Sequence, residues 1–490
     1  MNIPFIGPTY QARSLNINAS RSINLYPELN QKDSKSVSSL IGTPGTSLLC
    51  TLPFSPVRGI HAFNNLVYAI VGNRLYSFNI GGGQITELGT LGKSTGFVSM
   101  SDNGLASAGV GGNQLMIADG QAGYIYNVNT GVFSQISGGG FPSSGAMTVT
   151  YMDGYFIVNT INSMSYFVSN LYDGTTWNAL ATSPVSAAPD FLMAGANLNQ
   201  QLWLIKQYSS EVWYDTGTPT SQGSPFSRIS GAVIDYGTPS PYSLGRGGGS
   251  LFWVGNQRNN DAGEFIGIVK LEGYVPKVIS PPAINYQISK FQTVSDAFGY
   301  CYSEGGHTFY VVTFPGSNAT FVYDDTVQMW HERSSYNGYP YSIGRHFANC
   351  YTFLNGIHII GDYQSGNIYK MSSNYYDDNG NPIVSIRTAQ HLFDKDRLTN
   401  GMIHQLQIDA ETGNPDNLSF TGSPQAALSW SADYGHTWSS EYWASMGQIG
   451  QYGTRLMWRR LGYSRDKIFR LMISDAIKKV LIGCHVEATG

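Results

Sequence analysis

"NLVYAIVGNRLYSFN", residues 65–79, is a short alternating segment of strand-forming residues and polar turns. The same plan recurs along the chain: "GLASAGVGGNQLMIAD" at Gly104, "DGYFIVNT" at Asp153, "NQQLWLIK" at Asn199, "GGSLFWVGNQ" at Gly248, "GHTFYVVTF" at Gly306 and "LNGIHIIGD" at Leu354. Each pairs a glycine or polar turn with a run rich in β-branched and aromatic residues, the composition of a strand. A second strand often follows, as in "EVWYD" at Glu211, "TFVYDD" at Thr320 and "GNIYKM" at Gly366. Repeat starts lie roughly 40 to 60 residues apart, the spacing of propeller blades. No helical apolar period interrupts them between Asn65 and Met371. The expectation is an all-β chain: a β-propeller-like body of about six or seven blades, with a pair of β-sandwiches as the alternative.

The bulk properties narrow the functional classes. Charged residues make up 12% of the 490, about half the usual share, so the polar surface is built from Ser, Asn, Gln, Thr and Tyr. Such a composition suits tight turns and broad assembly surfaces. A net charge of −4 argues against a protein that grips nucleic acid by bulk electrostatics and does not exclude a DNA conduit, which must avoid gripping its cargo. Cys50, Cys301, Cys350 and Cys484 are scattered with no C-x-x-C pair, which points to reduced thiols rather than a zinc or redox site. The opening "MNIPFIGPTYQARS" lacks the basic and apolar segments of a secretory signal. No run of 18 apolar residues predicts a membrane span.

A boundary is expected in the polar stretch "SSNYYDDNGNPIV", residues 372–384. It divides the chain into an N-terminal extended segment and assembly arm (1–56), the propeller-like body (57–371) and a C-terminal antiparallel β module (372–490). Within it, Asp377-Asp378-Asn379-Gly380 resembles part of a calcium loop but lacks the alternating acidic ligands and closing glutamate, and is read as a turn. The C-terminal module carries "SADYGHTW", residues 431–438, an Asp-box of the S-x-D-x-G-x-T-W type. Ser431 and Asp433 can accept hydrogen bonds from the turn, Gly435 can supply a positive φ, and Trp438 can pack back under the hairpin. The box therefore reports a stapled hairpin.

Catalytic signals are thin. A sialidase needs an arginine cluster, a tyrosine–glutamate nucleophile pair and an acid/base aspartate, and arginine is sparse in the repeats. Other glycosidases need two facing carboxylates, and no local motif singles out such a pair. "LGTLGKSTG", residues 88–96, contains G-K-S, but the first glycine of a P-loop would fall at Glu87. "GRGGGS" at Gly245 lacks the strand-to-helix setting of a dinucleotide site. His307, His346, His358, His404 and His485 form no metal-binding pattern, and His436 sits in the Asp-box turn. No catalytic, cofactor-binding or metal-binding residue is assigned, and no small-molecule substrate is expected.

One charge feature departs from the rest. "RLMWRRLGYSRDKIFRLMISDAIKK", residues 455–479, holds eight basic residues against Asp466 and Asp475. Strand alternation would place Arg459 with Leu461 on one face and Trp458 with Arg460 on the other. Arg455, Arg459, Arg460, Arg465, Lys467 and Arg470 are the candidate basic surface, facing an acidic partner subunit or DNA phosphates. The competing reading is a solvated sheet face.

The segment "GTRLMWRRLGYSRDKIFRLMISDAIKKVLIGCHVE", residues 453–487, resembles the C-terminal end of the packaged-DNA stabilisation, or tail nozzle (hub), proteins of short-tailed bacteriophages. "RSINLYPELN" (21–30) and "GTPGTSLL" (42–49) resemble that family's opening segments. The resemblance implies a non-enzymatic virion protein of the phage tail, assembled in the host cytoplasm. It further implies a homohexameric ring below the portal and its adaptor, which retains packaged DNA and conducts it non-specifically during ejection. A tail needle or plug and tail fibre or spike proteins would be its other partners. The alternatives are a carbohydrate-binding or sialidase-like tail protein, favoured by the Asp-box and the aromatic content, and a bacterial propeller acting as an interaction scaffold.

Overall fold

The structure, a computed structural model, describes residues 5–81, 83–104, 112–259, 263–393, 400–414 and 422–489. The repeats fold into seven four-stranded antiparallel blades: residues 57–90, 99–135, 148–184, 192–234, 245–278, 298–332, and 348–372 completed by Gly45–Thr51. Residues 105–111, part of the repeat at Gly104, lie outside the described residues.

Two local features explain why these segments become blades. Their middle strands are apolar on both faces, because each blade is sandwiched between two others. Seven apolar clusters result, one per seam: Tyr68, Ile70 and Leu115 between the first two blades, and Leu52, Val57 and Ile359 where the last meets the first. Trp203 and Trp253 meet in the seam between the fourth and fifth. Burying one such side chain is worth about 1.5–3 kcal/mol. The first hairpins turn through paired left-handed residues, among them Asn64-Asn65, Asp153-Gly154, Asn199-Gln200 and Gly305-Gly306. Such turns match the twist of the flanking strands and favour Asn, Asp or Gly, with Gln200 the departure here. The one α-helix among the described residues, Pro282–Ile288, interrupts the repeats after the fifth blade and sends Ile284 and Ile288 into the next seam. It is too short to carry a visible period, and its two starting prolines, Pro281 and Pro282, suit a helix N-terminus.

The N-terminal segment differs from the expected assembly arm. Gly45–Thr51 pairs antiparallel with Asn367–Ser372 and closes the propeller as the outer strand of its last blade. Residues 5–42 belong to the C-terminal β-sandwich, where Phe5, Leu25 and Leu40 join Leu406, Leu428, Trp458, Leu471 and Leu481 in one core. One sandwich sheet runs Leu25–Leu29, Ser38–Gly42, Val480–Thr489, Gly401–Ala410, Leu456–Ser464. The other runs Ala19–Ile23, Ser385–Thr388, Asp466–Ile473, Gln425–Ser431, Tyr442–Ser445, and it is continuous with the sixth blade. Burial of the apolar side chains at 23, 25 and 40 holds the segment in place, which leaves it no freedom to extend as an arm.

At that junction Ile23 pairs in parallel with Glu332 of the sixth blade. Glu332 accepts hydrogen bonds from Thr9 Oγ1 at 2.7 Å and Arg21 Nε at 3.0 Å, and the Arg21–Glu332 ion pair spans propeller and sandwich. The calcium-like fragment is a tight hairpin beside it. Asn379 and Gly380 take positive φ, and Asp378 accepts from Thr46 Oγ1 at 3.1 Å. Among the described residues no cluster of potential metal ligands occurs.

Candidate functional site

The first strand of every blade faces the propeller axis, where a cavity of about 610 Å³ lies between them. Its floor is aromatic. Phe97, just before the first strand of the second blade, lies 4.9 Å from Phe298 of the sixth and 5.4 Å from Tyr242, ahead of the fifth. Tyr242 Oη donates to Met147 O, ahead of the third blade, at 3.2 Å. These rings come from opposite sides of the propeller, so they close the axis at the end where the first strands begin. Nearby, the buried Arg58 guanidinium donates to the carbonyls of Gly72, Lys93, Thr95 and Gly96. The P-loop-like "GKSTG" is thereby a cap on an arginine. Burial lowers the Arg58 pKa. Toward the open end, His61 Nε2 and Asp102 Oδ2 pair at 2.7 Å.

The geometry of the Asp-box shows how its polar atoms are used. Ser431 Oγ donates to Asp433 Oδ1 at 2.7 Å and accepts from the Gly435 amide at 2.8 Å. The Thr437 amide and hydroxyl both donate to Asp433, at 2.8 and 2.6 Å. These bonds hold the Asp433 carboxyl well below the usual carboxylate range. Gly435 has φ +93° and follows Tyr434 at +61°. Trp438 lies under the Arg470 guanidinium, 3.4 Å from carbon to ring centroid. A carboxylate committed to its own turn is poorly placed for acid–base work. His436 is exposed beside it.

The six basic residues do not form one face. Lys467 is buried, donates to Leu461 O and lies 5.5 Å from the Trp430 ring, and burial lowers its pKa. Arg470 is half-buried against Trp438, and burial, then the nearby charge of Arg21, brings its pKa down to about 10. Arg465 donates to Tyr434 Oη at 3.0 Å. Arg455, Arg459 and Arg460 are exposed. The expected alternation fails at Arg460, which takes φ +60° in a β-bulge opposite His404. A bulge inserts one residue and re-aims those after it. Trp458 and Leu461 both point into the core, and Arg459 and Arg460 both point out. The three exposed arginines therefore stand together on the Leu456–Ser464 strand and the residue before it.

Beside them lies a set of aromatic residues that strand and motif reading passed over: Tyr442, Trp443, Tyr452 and Tyr463, all exposed. The density of aromatics in "EYWASMGQIGQYGTRLMW", residues 441–458, was the available signal.

Both parts of the chain match family descriptions. Residues 1–376 match the β-propeller of bacteriophage P22 Gp10, and residues 386–489 match its β-sandwich. The chain belongs to the P22 Gp10 family. Like that family, it is a structural protein of the phage virion and of the tail. The family's propeller and sandwich are the two units seen here. No curated protein matches the chain in sequence. The solved structures that match do so only remotely. The computationally designed Ika8 protein has a TM-score of 0.37 at 10% identity, covering 76% of this chain and 98% of its own. The N-terminal domain of Nup159 has a TM-score of 0.40 at 11% identity, covering 70% and 98%. PorZ of Porphyromonas gingivalis has 0.38 at 10%, covering 75% and 45%.

Proposed function

We propose that this P22 Gp10 family protein forms the tail nozzle, or hub, which extends the portal–adaptor channel, helps retain packaged DNA and conducts it during ejection. It works without catalysis. Its partners are further copies in a homohexameric ring, the portal–adaptor protein, a tail needle or plug, and fibre or spike proteins.

The observation that carries this reading is the closed propeller axis, held to the sandwich by the strand Ala19–Ile23. A 610 Å³ cavity floored by Phe97, Tyr242 and Phe298 has no room for a duplex whose major groove alone is about 12 Å wide. A DNA path must then run between copies, with each propeller serving as wall. Sparse charge suits such a wall, because every phosphate neutralised by a basic side chain tightens binding that ejection must break.

Electron microscopy of the protein, alone and with adaptor-capped portal, tests the reading. A six-fold ring stacked on the portal, with density for DNA on the ring axis and none through the propellers, is the expected result. Single propellers in both samples would overturn it. Turnover of a fluorogenic sialoside would instead favour the carbohydrate-active alternative.

A further inference from the structure

The sandwich has two lateral edges. One is joined to the sixth blade. At the other, Tyr442–Ser445 ends one sheet and Leu456–Ser464 ends the other, and Trp458 Nε1 ties them together by donating to Tyr442 O at 2.7 Å. Among the described residues neither strand has a partner on its outer side. Unpaired edges invite pairing by another chain, and proteins commonly blunt them with charge. Arg459 and Arg460 could be only such a guard. A guard has no use for exposed aromatics, however, and Trp443 is 49% exposed, Tyr463 62% and Tyr452 66%. Arginine, tryptophan and tyrosine together make up the composition of interface hot spots. Arg455, Arg459 and Arg460 have no ion-pair partner among the described residues.

The charge that would complement this edge lies on the same chain, across the propeller. Counting round the ring from the sixth blade, the second and third stand farthest from the sandwich, and the fourth adjoins the third. Residues 99–234, which build these three, hold seven acidic side chains against Lys206 and Arg228. Lys206 is buried between Asp190 at 2.8 Å and Glu211 at 3.3 Å, and Asp119 is buried too, so the acidic side chains left nearer the surface are Asp102, Asp153, Asp173 and Asp215. Asp153, in a hairpin turn of the third blade, and Asp215, at a strand end of the fourth, have no ion-pair partner among the described residues. Partial desolvation and then the charge of Asp215 raise the Asp153 pKa, so the two carboxylates repel each other in the free subunit. An incoming cation would relieve that repulsion.

We propose, resting on the tail-assembly reading, that the free sandwich edge docks on the acidic rim of the third and fourth blades of a second copy. Arg459 and Arg460 face Asp153 and Asp215, and Trp443 and Tyr463 pack beside them. Because the two faces differ and lie on opposite sides of the chain, the contact is heterologous and propagates from copy to copy, as a ring requires.

A charge swap in the purified full-length chain tests this, with association followed by sedimentation velocity and native mass spectrometry, and folding by circular dichroism. Arg459→Glu with Arg460→Glu should weaken self-association by roughly tenfold or more, and so should Asp153→Lys with Asp215→Lys. All four substitutions together should restore it. Association that ignores either double variant, a wild type that stays monomeric, or two weakened variants with no recovery in combination would each overturn the contact. The portal experiment separates this from the nozzle reading. Swap-rescued oligomers that fail to bind portal remove the nozzle and keep the interface. Portal-bound rings that ignore the double variants remove the interface and keep the nozzle.

Discussion

The two edges of the sandwich have the same backbone problem and opposite solutions. On the joined edge, Ala19–Ile23 bonds to a blade on one side and to Ser385–Thr388 on the other. Its charges are satisfied within the chain: Glu332 takes Thr9 and Arg21, and buried Arg387 donates to the carbonyls of Phe5 and Pro8 at 2.6 and 2.9 Å. On the free edge the arginines have no carboxylate partner among the described residues, and the aromatics are exposed. Under the proposed contact, the joined edge serves folding and the free edge serves assembly. Mutations at the two edges should therefore separate stability from association.

Among substitutions compared at neutral pH, the largest effect is expected at the junction. Glu332→Ala leaves Arg21 without its carboxylate in a partly buried site, and removing one member of a buried pair costs about 3 kcal/mol. Urea denaturation should show that loss. A change below about 1 kcal/mol, the range of an exposed pair, would mean that the junction is not held electrostatically.

Next comes acid. His331 is fully buried at the joined edge, neither ring nitrogen has a hydrogen-bond partner among the described residues, and burial, then the charges of Arg333 and His307, push its pKa down to about 3. The unfolded chain takes up this proton near pH 6.5 and the folded one does not, so the stability that the neutral ring supplies is present above 6.5. It is lost as pH falls toward 3, by about 1.4 kcal/mol per pH unit. His331→Leu should remove that part of the acid sensitivity. Identical stability–pH slopes for the two proteins between pH 6 and 4 would refute the assignment.

How much of this was legible in the sequence differs in the same way across the molecule. The blades could be read because each carries its own turn and its own apolar strands, as in residues 65–79. The closure of the ring could not, since Gly45–Thr51 pairs with Asn367–Ser372, more than 300 residues away, and nothing local records such a partner. The Asp-box could be read as a staple because its donors and acceptors lie within a few residues. The basic surface was half legible. Residue type marks Lys467 as a surface side chain, yet it is buried over Trp430. Strand alternation puts Arg460 with Trp458, yet the left-handed backbone at Arg460 turns it outward, and arginine gives no hint of positive φ.

A smaller effect is expected at the Asp-box, near the free edge. Asp433→Ala removes both acceptors of the Thr437 amide while Ser431 still holds Gly435. Hydrogen exchange at Thr437 should speed up, while Gln425–Ser431, paired with Asp466–Ile473, keeps its protection. Loss of protection along that strand would make the box part of the core rather than a local staple.

The smallest effect on stability is expected where the effect on association should be greatest. Arg459 and Arg460 point into solvent, and substitutions at such positions usually change stability by no more than about 0.5 kcal/mol. Arg459→Glu with Arg460→Glu should therefore unfold at nearly the wild-type urea concentration when both proteins are dilute enough to be monomeric. At higher concentration the wild type should gain stability from self-association and the variant should not, because only a contact between folded copies makes the midpoint concentration-dependent. A variant that is weaker by 2 kcal/mol in the dilute limit would show that the free edge also contributes to folding, and the contrast between the two edges would fail.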